Sequence, residues 1–219
     1  MPTSGVSSFD PTFDDILQDA VGMVGGGPVL ADELISARRG LDYLLTDLQN
    51  KNVLLHKIET TTVPVSASVA SLSFDQSISD VLTVTLRTNS TDILLERDGF
   101  ERWAEIPTKS APGRPTRYWW DRRRTGNTLN FWPVPDQTYT TVLTVQKNAE
   151  NTLRAFDNVD VPRRFLPALL YGLAYWIGLR RPNVDANRLA LLRSEYERAV
   201  RDAMREDRER GKVFIRIGR

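Results

Sequence analysis

The sequence contains no cysteine and a single histidine, His56, in 219 residues. Absence of cysteine removes disulfides, thiolate nucleophiles, Cys-ligated zinc and iron–sulfur clusters together. One imidazole cannot build a two-His metal site, and a Ser–His–acid triad would have to use this one residue. His56 lies in the apolar stretch VLLHKI, which reads as structural. Long apolar runs are also missing. The longest, residues 165–179 (FLPALLYGLAYWIGL), has 15 residues, whereas a membrane-spanning helix needs about 20. Arg163-Arg164 and Arg180-Arg181 flank it, so it reads as a helix buried among other elements, with no membrane partner. Residues 1–12 carry neither a basic nor an apolar signal region, so no secretory signal is expected. With no signal and no cysteine, the expected place of folding is a cytoplasm.

Catalytic signatures are absent as well. No GxxxxGK[ST], GxSxG, HExxH or GxGxxG occurs. Gly25-Gly26-Gly27 lacks a preceding strand and a following lysine, so it reads as a turn rather than a phosphate cradle. No cofactor and no metal are expected. Carboxylates are plentiful, but no pair stands apart. A carboxylate-based hydrolase therefore stays open as the alternative function.

What the chain does contain falls into three blocks. Residues 1–52 read as a helical hairpin. Asp10-Pro11 is the expected start of its first helix, and Phe13, Ile16, Leu17, Ala20, Val21 and Val24 form one apolar stripe. The triglycine then turns the chain into a second helix from about Ala31 to Asn50, striped by Leu34, Ala37, Leu41, Leu44, Leu45 and Leu48. Residues 53–150 change to a period of two and read as an inserted antiparallel β-module. Strands are expected within 53–58, 60–65, 80–88, 93–95, 117–121, 129–132 and 139–147. Leu82, Val84 and Leu86 should share one face, residues 99–105 should form one helical turn, and Thr125-Gly126-Asn127 should make a hairpin turn. Residues 151–210 return to helix: the apolar segment, then a long charged helix after Asn183 or Asp185 with a stripe of Leu189, Leu192, Tyr196, Val200, Ala203 and Met204. Glu195/Arg198, Glu197/Arg201 and Glu206/Arg210 are spaced as helix-stabilising pairs. The expected class is thus α+β: a helical bundle of the N-terminal hairpin and two C-terminal helices, carrying a β-module. Leu41, Leu45, Leu169, Leu173, Leu192 and Tyr196 should be its packing residues. Residues 211–219 read as an extended docking tail, with Val213, Ile215 and Ile217 on one side and Phe214 and Arg216 on the other.

Two features stand out beyond the core pattern. Trp103, Tyr118, Trp119, Trp120, Phe131 and Trp132 can form one aromatic cluster in the β-module. Core packing, a stacking platform for bases or sugars, and an inter-subunit contact are its three readings. Charge is divided between the ends: residues 162–219 carry net +7 and the rest net −6. Chains with ends of opposite sign can stack on copies of themselves or on a charged partner. Arg122-Arg123-Arg124 makes a basic hairpin tip. Arg198, Arg201, Arg205 and Glu197 offer a second charged surface for subunit or tail contact.

The motifs Ile106-Pro107-Thr108-Lys109, Gly113-Arg114-Pro115-Thr116-Arg117-Tyr118-Trp119 and Leu129-Asn130-Phe131-Trp132-Pro133-Val134-Pro135-Asp136, followed by two final helices, carry a likeness. Together they resemble the head-to-tail adaptor proteins of tailed bacteriophages, of the short-tailed phage type. The resemblance covers about residues 10–210. It implies a non-enzymatic virion protein at the head–tail interface, made in the host cytoplasm. Such proteins form a ring, usually dodecameric, beneath the portal protein. They extend the DNA channel, with non-specific contact to double-stranded DNA, and present a docking surface for the next tail protein (nozzle, stopper or tail tube). On that resemblance the portal is the expected partner of Val213–Ile217. The alternative becomes a virion-carried cell-wall hydrolase.

Overall fold

The computed structural model describes residues 9–51, 57–88, 91–151 and 156–206. His56, Asn52 and the tail at 211–219 lie outside the described residues. The chain divides into two compact units, Met1–Leu54 with Ala149–Arg219, and Leu55–Asn148.

The first unit is helical. Helix α1 (Phe13–Met23) starts at Thr12, not at the expected Asp10. The reason is a capping box: the Asp15 N–H donates to Thr12 Oγ1 at 3.3 Å, and the Thr12 N–H donates to the Asp15 carboxylate at 2.9 Å. Asp10 instead accepts a hydrogen bond from Asn158 Nδ2 at 2.6 Å. Gly25, Gly26 and Gly27 all adopt positive φ, so the triglycine is the turn that stops α1. Helix α2 spans Ala31–Asn50, α4 Leu166–Gly178 after a short 3₁₀ turn, and α5 Ala186–Glu206. Helix α4 packs against α1, α2 and α5, which is why its sequence is apolar on nearly every side. Leu41, Leu45, Leu169, Leu173 and Leu192 are all buried in this core, and Tyr196 packs on it half-buried. The expected pair Glu195/Arg198 forms, but Glu197 turns back one helical turn to Arg193 at 3.1 Å instead of forward to Arg201. Arg210 lies outside the described residues.

The second unit holds two four-stranded sheets. One has the order β1 (Ile58–Val65), β10 (Tyr139–Lys147), β3 (Ile78–Thr88), β4 (Thr91–Leu94). The other runs β2 (Ser71–Phe74), β8 (Gly126–Trp132), β7 (Arg117–Arg123), β5 (Glu96–Asp98). Most pairings are antiparallel, but β5 joins β7 in parallel, as β6 (Pro112–Gly113) joins β9 (Val134–Pro135). The wholly antiparallel module expected from the sequence is corrected at those two places. Strands β2 and β5 were not expected: Ser-Leu-Ser-Phe is too short to show a period, and Glu-Arg-Asp has no strand composition.

The inner faces share one core, including Val84, Leu86, Tyr118, Trp120, Leu129, Phe131 and Leu143. Leu82 does not join Val84 and Leu86 as fully as its spacing required. The register skips it, pairing Thr144 with Thr83 and Val145 with Val81. That bulge brings Val81 into the core and leaves Leu82 half-buried. Hydrogen bonds cross between the sheets: Tyr118 Oη donates to the Leu82 carbonyl at 3.2 Å, Asn127 Nδ2 to the Ile78 carbonyl at 2.7 Å, and the Arg97 guanidinium to the Val81 carbonyl at 3.0 Å and to the Asp80 carboxylate at 2.7 Å. The hairpin connection is Arg124-Thr125, because Gly126 and Asn127 already pair with Arg123 and Arg122.

Candidate partner interface

Strand alternation decides where the six aromatics go. Tyr118, Trp120 and Phe131 project inward and are buried, with Trp120 against Phe74 at 5.7 Å between ring centroids. Trp119 and Trp132 take the opposite face. The single cluster expected from the sequence is therefore two groups, on opposite sides of one sheet.

The outer group is built by helix α3 (Phe100–Ala104), which lies on that face. Trp103 stacks on Trp119 at 5.7 Å with 27° between planes, and the exposed Phe100 closes on Trp119 at 6.0 Å. Trp132 donates its Nε1–H to the Thr108 carbonyl at 3.0 Å, under the Arg117 guanidinium at 5.7 Å. Beside these rings sit four charges. Arg102 donates to Glu96 at 2.6 Å, and that hydrogen bond holds the Glu96 carboxyl below the ordinary glutamate range. Asp98 is buried and lies 3.6 Å from Arg102 and 3.8 Å from Arg117. Both its oxygens lack a hydrogen-bond partner.

The basic hairpin tip is exposed as expected. Arg123 is tied to Asp121 at 2.7 Å, while Arg122 and Arg124 extend into solvent. On α5, Arg198, Arg201 and Arg205 are exposed, with Arg198 bound to Glu195 and Arg205 3.7 Å from Asp202. These two basic surfaces belong to different units. Among the described residues, no group of three or more His, Asp or Glu is placed to hold a metal ion. No described helix is long and apolar enough to cross a membrane. Val213, Phe214, Ile215, Arg216 and Ile217 lie outside the described residues.

One surface was missed from the sequence. On α2 and α4, Trp176 lies 5.5 Å from Tyr43 and carries the Arg180 guanidinium 3.8 Å above its ring. Trp176 Nε1 donates to the Ser36 carbonyl at 3.2 Å. Ile35 and Tyr43 are exposed beside it. The signal was present: both residues fall off the apolar stripe of their helix, so no core required them there.

The geometry defines an α+β protein of two units, with apolar, aromatic and basic surfaces outside its cores. The chain matches the family described as SU10 adaptor protein over residues 11–216 and belongs to that family, which is one of phage head-to-tail adaptors. No curated protein matches it. Its family makes it a structural protein of the virion.

Proposed function

We propose that this chain is a non-enzymatic adaptor that assembles as a ring, of dodecameric type, beneath the portal. The ring extends the DNA channel and gives the next tail component its docking surface. The observation that carries this reading is the family match across nearly the whole chain, residues 11–216. The helical unit, a bundle centred on α4, supplies the ring body. Arg122 and Arg124 give the β unit two solvent-facing cations suited to phosphate backbone or an acidic partner. Val213, Phe214, Ile215, Arg216 and Ile217 dock on the portal, and the charged helix before them carries them outward. Support for a non-catalytic role comes from the carboxylates: the buried acid, Asp98, stands between two arginines, and Glu96 is bound by one of them. A catalytic acid needs room for substrate, not two resident cations.

The test mixes purified protein with the portal of the same phage and images the particles in negative stain. Rings stacked on the portal are the expected result. Removal of residues 212–219 should leave the circular dichroism spectrum unchanged and strongly reduce portal loading. Equal loading of the truncated chain would remove the tail from the proposal. Peptidoglycan hydrolysis abolished by one acid substitution would replace the adaptor reading with the enzymatic one.

A further inference from the structure

The helical unit presents two unlike surface patches at the edge of its core. The first is a ridge on α2 and α4. Ile35 and Tyr43 project from it, and Trp176 with its stacked Arg180 forms its floor. Arg39 and Asp32 complete it. Among the described residues Arg39 has no ion-pair partner. The second patch is a groove of about 410 Å³ between α1 and α4, lined by Phe9, Ile16, Leu166, Pro167, Leu170 and Tyr171. Asp19 stands in its wall and Arg163 at its rim, the latter over the Phe9 ring at 5.7 Å. Helix α1 carries Asp14, Asp15 and Asp19 and no basic residue. Asp15 is held in the capping box and Asp14 by Gln18, but Asp19 is exposed with no hydrogen-bond or ion-pair partner among the described residues.

The two patches lie on opposite sides of the unit. Pro167 lines the groove and Trp176 the ridge, nine positions apart on one helix. At about 3.6 residues per turn that is two and a half turns, a half-circle around α4. A twofold dimer pairs a patch with itself, and here that would set Arg39 and Arg180 against their own copies. Head-to-tail association pairs unlike patches and propagates around a ring. The ridge is aromatic and carries Arg39 and Arg180 against one carboxylate, Asp32, so its charge is net positive. The groove is apolar with Asp19 in its wall and Arg163 at its rim, so the exposed Asp19 is the group that can meet Arg39 of another copy.

We propose that the α2/α4 ridge of one copy seats in the α1/α4 groove of the next, with Ile35 and Tyr43 in the groove and Arg39 against Asp19. This deepens the ring reading and rests on it. A second copy of this chain is the occupant because both halves of the complementary pair are on the same unit, facing in opposite directions.

Absence of native cysteine makes the test direct. Full-length chain carrying Ile35→Cys and Leu170→Cys is loaded on portal particles from the same phage and oxidised. A ladder of disulfide-linked multimers up to the ring number is expected, and none from either single variant. Separately, Arg39→Glu and Asp19→Arg, both at exposed positions, should each raise the concentration for half-assembly by about tenfold. Both changes in one chain should restore it. Rings that form without the ladder, and charge reversals that do not rescue each other, overturn this pairing and leave the ring reading standing. Wild-type protein that binds portal but never closes a ring overturns both.

Discussion

Gly40 and Gly172 show how two residues of one type carry different demands. A Cβ on Gly40 would lie 2.5 Å from Trp176 Cδ1 and 2.6 Å from Nε1, within a ring already fixed by its bond to Ser36. On Gly172 it would meet two methyls of Leu44 at 3.0 Å and Tyr196 Cδ2 at 3.1 Å, which can move by a few tenths of an ångström. Alanine gains about 1 kcal/mol of helix propensity at either place, while overpacking costs roughly 1–3 kcal/mol where neighbours cannot yield. Gly40→Ala should therefore lose up to about 2 kcal/mol, and Gly172→Ala should be close to neutral, both read from urea unfolding. A titratable residue gives a second expectation. Glu33 forms a two-pronged, half-buried pair with Arg181 at 2.6 and 2.9 Å. The Arg181 hydrogen bond holds its carboxyl below the ordinary value of 4.5, against a smaller opposing effect of burial. A depressed folded-state pKa contributes stability that is present above 4.5 and lost as pH falls through the lower folded value. Urea midpoints measured from about pH 6 to 3 should fall more steeply in the wild type than in Glu33→Gln. Equal slopes would show that the pair does not couple to folding.

Helix α4 sets the stability of its unit, because it is the element that α1, α2 and α5 all touch. Its polar neighbour α5 contributes through one stripe only: Leu192, Val200 and Ala203 are buried, and the ion pairs on its outer face are exposed and weak. Leu169→Ala, at a fully buried position of α4, should cost about 2–5 kcal/mol. Leu191→Ala, on the open side of α5, should change stability by less than about 0.5 kcal/mol. Guanidinium unfolding of the two variants side by side checks the contrast. Comparable losses would mean that the α5 outer face is packed in solution against something else.

Across the whole chain, the β unit is an insertion that returns to its starting point. Strands β1 and β10, which carry the chain in and out, are hydrogen-bonded neighbours, with Ile58 opposite Gln146. A short link can therefore replace the entire insertion without stretching the helical unit. The β unit in turn has its own closed core between two sheets. Residues 55–148 expressed alone should show a cooperative thermal transition and native aromatic circular dichroism from Trp119, Trp103 and Trp120. A broad, non-cooperative melt would mean that the core depends on the helical unit.

Periodicity made much of this legible from residues alone. The stripe in α2, its bounds at Ala31 and Asn50, the apolar α4 and the strands read at 117–121 and 139–147, the first of which runs on to Arg123, all follow from the spacing of apolar side chains, a local property. The adaptor family was legible too, in the GRPTRYW and LNFWPVPD stretches. Other features depended on contacts between distant segments. Thr12 displaced Asp10 as the cap because Asp15 answered it, and Asn158 claimed Asp10. Strand β5 became a strand because β7 was beside it, and Val81 entered the core because a bulge released Leu82. Trp119 and Trp120 are adjacent in sequence, yet the pleat sends one to α3 and the other to the core. The groove was invisible for the same reason, and although Ile35 and Tyr43 stand off their stripe, nothing local placed Trp176 and Arg180 beside them to complete the ridge. Each is formed by two helices together, and a single stripe records only which side of a helix is apolar. Which neighbour leaves part of that side uncovered is decided by how the helices pack.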